Sequence, residues 1–253
     1  MILDENFKII VYRGGTEVFP ENSIQAIENS LHELPNAIIE LDLQITKDNE
    51  IVAFHDFQLE DLTNGQGLIA EHTLTEVQRF NLKNADKTIS QFKVPKLIDI
   101  FTLFPNQCFV LDLHEYNLTL FEKVIAIVEA YSMENKVALV SMAKGAIRQF
   151  QKLRPTWTFV ASPQETIKFI LFNKIGLQIF ATTTSKIMFL PNKLGIINIL
   201  TKDSFKALHK RNIKVWTCNN FKPYENVNGL TDLEDYKQRN IDGIYTDNPK
   251  RLK

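Results

Sequence analysis

The sequence predicts an α/β fold, a closed (β/α)8 barrel. Strand-like and helix-like segments alternate along the chain, the pattern of a parallel sheet joined by helical crossovers. Eight main strands can be counted once a hairpin arm is set aside. The length of 253 residues matches the roughly 250 that such a barrel takes.

The elements follow in order. Residues 8–12 form a first strand, and 23–34 a helix that Asn22 or Ser23 can cap after Pro20. Residues 37–45 alternate apolar and polar side chains and run on into a hairpin. Residues 59–92 make a long excursion holding Gly65 and Gly67, where Thr73-Leu74-Thr75-Glu76 reads as the start of a short helix. A helix is expected over 96–104, a strand over 108–114, and an amphipathic helix over 118–131. Strand 136–142, helix 144–153 and strand 157–162 come next. Between 167 and 190 helix and strand patterns are not separable. Strand 196–200, helix 202–211, strand 214–218 and strand 243–246 close the series.

Composition excludes several classes. Hydrophobic residues at 44% and charged residues at 23% describe a globular chain with a sizeable core. A formal net charge of -1 gives no reason to expect a nucleic-acid partner. Cys108 and Cys218 stand too far apart for a disulfide framework and fit a reducing compartment. The first residues, with Asp4 and Glu5, do not read as a signal peptide. The most apolar region, 180–200, is broken by Lys186, Pro191, Asn192 and Lys193, so no membrane span is expected. The expectation is a soluble cytoplasmic protein.

Chemistry concentrates at the C-terminal ends of the expected strands, where barrels carry their active sites. With a two-residue turn at Asp48-Asn49, Asp42 faces His55, Glu40 faces Phe57 and Gln44 faces Ala53. Glu40, Asp42 and His55 then share one face, joining carboxylate oxygens for a hard cation to a titratable imidazole. The first strand ends in Tyr12-Arg13-Gly14-Gly15, where glycines permit close backbone approach and an arginine matches phosphate oxygens. Asp112 and His114 share a face on the strand over 108–114. Each signal alone is weak. Glu-x-Asp is more often a solvated strand face, and Trp216 is more often core than ligand wall. His32, His72 and His209 read as surface or structural, and Glu115 should point away from the mouth.

Taken jointly, the motifs carry more. Tyr12-Arg13-Gly14, Pro20-Glu21-Asn22-Ser23, Glu40-Leu41-Asp42, His55-Asp56, Val94-Pro95-Lys96-Leu97 and Leu111-Asp112-Leu113-His114 occur in that order. Trp216-Thr217-Cys218-Asn219 and Asp242-Gly243-Ile244-Tyr245-Thr246-Asp247-Asn248-Pro249 close the chain. This series resembles the glycerophosphodiester phosphodiesterase family over essentially the whole length. The resemblance implies a TIM barrel, one domain over 1–253, with a small insertion (about 59–92) after the second-strand hairpin. It implies hydrolysis of a small-molecule glycerophosphodiester to glycerol 3-phosphate and an alcohol, assisted by one divalent cation, Mg²⁺ or Ca²⁺. By position, Glu40, Asp42 and Asp112 are the implied metal ligands and His55 a catalytic histidine. Arg13, His114 and Trp216 are implied at the substrate.

Two neighbourhoods depart from the family pattern. Tyr12 stands where the family has a catalytic histidine, and Asp112 and His114 stand where it has glutamate and lysine. A phenol with a pKa near ~10 is a poor base at neutral pH. One expectation is a rearranged enzyme in which His114 supplies the missing imidazole and Tyr12 orients substrate. The alternative is a pseudoenzyme that binds a phosphodiester or phosphate without efficient turnover. A glycosidase with carboxylates about 5–9.5 Å apart is a more remote alternative.

Overall fold

Apolar runs, each followed by an amphipathic segment, build the strands of a barrel. A computed structural model of the chain describes residues 2–177, 180–191, 193–194, 197–199, 201–217 and 230–252. Its strands are β1 (Lys8–Val11), β2 (Ile38–Ile45), β3 (Ile51–Ala53), β4 (Phe109–Leu113), β5 (Val137–Val140), β6 (Thr158–Phe159), β7 (Ile187–Phe189), β8 (Lys193–Leu194), β9 (Ile197–Asn198), β10 (Lys214–Thr217) and β11 (Gly243–Thr246). Eight of them pair in parallel in the order β6-β5-β4-β2-β1-β11-β10-β7. The ring closes at the Val160–Ile187 bridge, where the Ala161 N–H donates to the Ile187 carbonyl at 2.8 Å.

The helices are α1 (Ile24–Glu33), α2 (Leu59–Leu62), α3 (Leu74–Val77), α4 (Leu97–Leu103), α5 (Leu118–Ala130), α6 (Ala146–Leu153), α7 (Pro163–Lys174), α8 (Lys202–His209) and α9 (Leu230–Gln238). Their starts are chemically marked. Ser23, not Asn22, caps α1 by accepting from the Ala26 N–H. Asn117 caps α5. Ser162 and Glu165 form a capping box with Pro163 in the first turn of α7. Among the described residues no helix is long and apolar enough to cross a membrane.

Two layers of side chains account for the barrel. Ile10, Ile38, Val110, Ala138, Val160, Ile187 and Trp216 meet inside it. Residues of the opposite strand faces, among them Val11, Ile39, Leu41, Phe109, Leu111 and Leu139, pack outward with Ile27, Leu120, Phe121 and Val124 of the helices. Every residue of β2 is buried, although Glu40, Asp42 and Gln44 alternate with its apolar residues.

Three expectations change. The strand expected over 196–200 is not a barrel strand. Lys193–Leu194 and Ile197–Asn198 pair with each other in a two-stranded antiparallel ribbon, and the eighth parallel strand is β7. The ambiguous stretch 167–190 divides into most of α7 and then β7. The hairpin register moves by one residue: Gln44 pairs with Val52 and Leu43 with Ala53. The turn holds three residues, with Asn49 in the left-handed region at φ 62°. The Thr46 N–H donates to the Glu50 carbonyl at 3.0 Å and the Asn49 N–H to the Thr46 carbonyl at 2.9 Å. A left-handed asparagine closing a three-residue loop outcompetes the two-residue turn that the dipeptide suggested.

The excursion after the hairpin carries its own small core. Leu59, Ile69, Val77 and Leu82 pack with Val52 and Phe54 of the hairpin arm and with Val94. The Thr73–Glu76 helix start is present as a complete capping box on α3.

Candidate active site

Strands β1, β2 and β4 deliver the polar residues. Glu40 and Asp42 alternate with Leu41 on β2, so both point into the barrel, and each is almost wholly buried. Parallel pairing sets Asp42 beside Asp112 in register. After β1 the chain turns sharply, with Arg13 at φ 51°, Gly14 at 73° and Gly15 at 101°. A Cβ on Gly15 would lie 2.5 Å from Ser30 Oγ of α1, so only glycine lets the turn sit on that helix. This turn aims the Arg13 N–H at Glu40 Oε2, at 2.7 Å.

Arg13 is buried and multiply held. Its Nη1 donates to Glu21 Oε1 at 2.7 Å, and its Nε lies 3.4 Å from Asp42 Oδ2. The guanidinium stacks on the Tyr12 ring at 4.7 Å. Asp42 is the centre of the polar network. Its Oδ2 accepts from Asn22 Nδ2 at 2.8 Å, and its Oδ1 meets His114 Nε2 at 2.8 Å. His114 Nε2 also lies 3.8 Å from Asp112 Oδ2.

His55 reaches the site differently from the sequence expectation. In the observed register the Phe54 N–H donates to the Asp42 carbonyl at 2.9 Å, and Phe54 points into the insertion's core. His55 lies past the last paired residue of β3, where face alternation no longer binds it. Its ring meets His114 edge to face with centroids 4.6 Å apart, and its Nδ1 is 2.7 Å from Asp56 Oδ1.

Burial and charge push these groups apart. Burial lowers the His55 pKa below its ordinary value, aided by the Arg13 and His114 charges against Asp42 and Asp56. His114 moves up: burial opposes its charge, but the bond to Asp42 and the Asp112 carboxylate outweigh it. Burial pushes Asp112 up to about 7, with His114 opposing and Asp42 adding. Glu40 is raised by burial and then by the charges of Asp42 and Asp112. Asp42 is lowered despite burial, because His114 and Arg13 hold its anion.

Glu40, Asp42 and Asp112 offer ligand atoms all within 4.8 Å of one another, and so do Asp42, His55 and His114. Asp112 Oδ1 is buried with no hydrogen-bond partner among the described residues. Three crowded carboxylates, one with an orphaned oxygen, fit a hard divalent cation, which supplies the positive charge that burial denies them. The same crowding argues against the glycosidase alternative, whose carboxylates stand about 5 Å apart or more across a sugar.

The sequence-derived residues therefore converge, with qualifications. Tyr12, Arg13, Glu40, Asp42, His55, Asp112 and His114 surround one mouth. Trp216 is fully buried in the inner layer, and a Cβ on Gly243 would lie 2.7 Å from its Cδ1. It sits beneath the mouth, edge to face with Tyr245 at 6.4 Å, rather than as an open wall. Cys218 and Asn219, expected at the end of β10, lie outside the described residues. His209 pairs with Asp242 at 2.7 Å away from the site, and His72 bonds the Leu68 carbonyl. The Glu115 side chain is engaged with Asn117 Nδ2 at 3.0 Å. Three contributors carried no site role in the sequence reading: Glu21 on Arg13, Asn22 (considered only as a helix cap) on Asp42 and Asp56 on His55. Their signal was the Pro20-Glu21-Asn22-Ser23 and His55-Asp56 runs, whose partners lie elsewhere in the chain.

A parallel barrel whose mouth joins buried carboxylates, paired imidazoles and an arginine defines a hydrolase of the phosphodiesterase type. The model of the "glycerophosphoryl diester phosphodiesterase family" matches residues 13–251. A glycerophosphodiester phosphodiesterase of Caldanaerobacter subterraneus subsp. tengcongensis is 27% identical over 96% of this chain and 95% of its own. One from Bacillus altitudinis is 27% identical over 96% of each chain. In structure, a glycerophosphodiester phosphodiesterase from Agrobacterium tumefaciens superposes with a TM-score of 0.77 at 19% identity, covering 97% of this chain and 98% of that one. An Oleispira antarctica phosphodiesterase, solved with the product sn-glycerol-3-phosphate, superposes with a TM-score of 0.69 at 17% identity, covering 97% and 94%. The chain belongs to the glycerophosphoryl diester phosphodiesterase family.

Proposed function

We propose that the protein is a metal-dependent phosphodiesterase that cleaves small glycerophosphodiesters to glycerol 3-phosphate and an alcohol. One observation carries this reading: two imidazoles in ring contact, 4.6 Å between centroids, are pushed in opposite directions beside a cluster of three carboxylates. Divergent values in one site mark a base and an acid.

His55 is the base. Its Nδ1 is bonded to Asp56, which fixes the tautomer and leaves Nε2 to take the proton from the attacking hydroxyl or water. His114, held charged by Asp42, gives a proton to the leaving alcohol and replaces the imidazole absent at position 12. Arg13, buttressed by Glu21, offsets charge on the phosphate oxygens. Tyr12 orients the substrate through its phenol, and Trp216 forms the floor. Glu40, Asp42 and Asp112 would hold one Mg²⁺ or Ca²⁺ ion, which would stabilise charge on the phosphoryl oxygens as a Lewis acid. Residues 1–253 act as one catalytic unit.

The test is hydrolysis of glycerophosphocholine and glycerophosphoethanolamine by the purified protein. Turnover that chelator abolishes and that His55→Ala lowers roughly 10²–10⁴-fold is expected. If the protein binds these esters without cutting them and Tyr12→His confers turnover, the pseudoenzyme reading replaces this one. Full activity in His114→Ala would remove the acid role given to that residue.

A further inference from the structure

Helix α7 is apolar on two sides. Its inner face packs on the core through Phe169, with Ile170 and Phe172 partly buried beside it. Ile167, Leu171 and Ile175 follow at four-residue spacing on the outer face and are 56%, 61% and 66% exposed. Such spacing makes a single stripe along a helix. A soluble helix needs only one apolar stripe, the one turned to the core.

Basic residues predominate beside the stripe, although the exposed Asp203 at the start of α8 shares a cleft with Lys174. Lys168 and Lys174 are exposed on the same outward face; among the described residues neither is in an ion pair, and the Lys168 ammonium lies 5.8 Å from the centre of the Phe172 ring. A cleft of about 410 Å³ next to it is lined by Lys144, Arg148 and Lys168. The acid in the first turn, Glu165, is committed to the cap, where it accepts from Ser162, and to Thr183 Oγ1 at 2.6 Å.

We propose that this face docks the protein reversibly on an anionic lipid surface, with the aliphatic stripe entering the headgroup boundary and the lysines meeting lipid phosphates. Apolar residues flanked by lysines, with no acid in the helix from Thr166 to Ile175, are the chemistry of an interfacial helix. A second copy of the chain is the poorer occupant. A two-fold contact would set the same lysines against themselves. The surface lies on the outer wall of the barrel, and the inference does not rest on the phosphodiester reading.

The test is co-sedimentation of the full chain with phosphatidylglycerol vesicles and with phosphatidylcholine vesicles. Binding to the anionic vesicles that weakens with NaCl is expected, with little binding to the zwitterionic ones. The double variant Lys168→Glu/Lys174→Glu should weaken it about tenfold or more. Leu171→Ser/Ile175→Ser should also weaken it while leaving the far-UV circular dichroism unchanged. Should the charge reversal fail to fold, Lys168→Gln/Lys174→Gln serves in its place. No sedimentation with anionic vesicles, or sedimentation that neither variant affects, overturns the proposal. So does a dimer in light scattering that Leu171→Ser/Ile175→Ser dissociates, which would assign the face to a second copy.

Discussion

Asn22 grips Asp42 at two points: its Nδ2 donates to the carboxylate at 2.8 Å, and its Oδ1 accepts the Asp42 N–H at 3.1 Å. Both residues are buried, and Asn22 takes the left-handed backbone at φ 58° that asparagine tolerates. Asn22→Ala would orphan two groups in a dry site. A loss of about 1–3 kcal/mol in urea unfolding is expected. Divalent-ion affinity, read by thermal shift, should fall about 10–100-fold as the proposed ligand Asp42 loses its support.

The imidazole pair predicts a bell-shaped pH profile for kcat/KM. His55 must be neutral to act as a base, so the rate rises with pH through its lowered value. His114 must be protonated to act as an acid, so the rate falls as pH climbs through its raised value. His55→Ala should cost roughly 10²–10⁴ in rate. His114→Ala should lower the rate and erase the alkaline limb.

Asp112 ties cation binding to pH. Its folded value of about 7 stands above that of an unfolded carboxyl, so the folded state keeps a proton the unfolded chain has lost. In metal-free protein this contribution is present at low pH and lost as pH rises from about 4 to about 7. A bound cation replaces that proton. Mg²⁺ or Ca²⁺ should therefore raise Tm more at pH 8 than at pH 5, and Asp112→Asn should flatten the difference.

Tyr12→His restores an imidazole at the end of β1. If His114 already acts as the acid, turnover should change by less than about tenfold. A gain of 10² or more would assign the missing step to position 12.

Gly243 predicts a stability effect separate from chemistry. The buried Trp216 indole lies where a Cβ would fall, with 2.7 Å to Cδ1, and the inner layer leaves it little room to move. Gly243→Ala should cost about 1–3 kcal/mol by overpacking. Chemical denaturation would measure it.

Much of the barrel was legible because each signal is local. Apolar runs, the cap at Asn22 or Ser23 and the helix start at Thr73 act within a few residues of themselves; the caps at Asn117 and Ser162 are equally local but were not read from the sequence. The failures came where competing choices have similar local chemistry. Residues 187–189 and 196–200 are both short apolar runs, and only ring closure against β6 and β10 selects the first. The hairpin register depended on Asn49 entering the left-handed region, which the Asp48-Asn49 pair does not by itself decide.

By itself the sequence determined the class of barrel and the strands bearing Glu40, Asp42 and Asp112, whereas the departures at Tyr12, Asp112 and His114 were visible only through its resemblance to the family. It could do so because strand periodicity and side-chain chemistry are properties of neighbouring residues. Only the tertiary structure decided that His55 meets His114, that Asn22 and Glu21 brace Asp42 and Arg13, and that Trp216 lies beneath the site. Those relations join residues far apart in the chain. They come from parallel register and from the turn after β1; burial lowers the pKa of His55, while at His114 burial is outweighed by the Asp42 bond and the Asp112 charge, which raise its pKa.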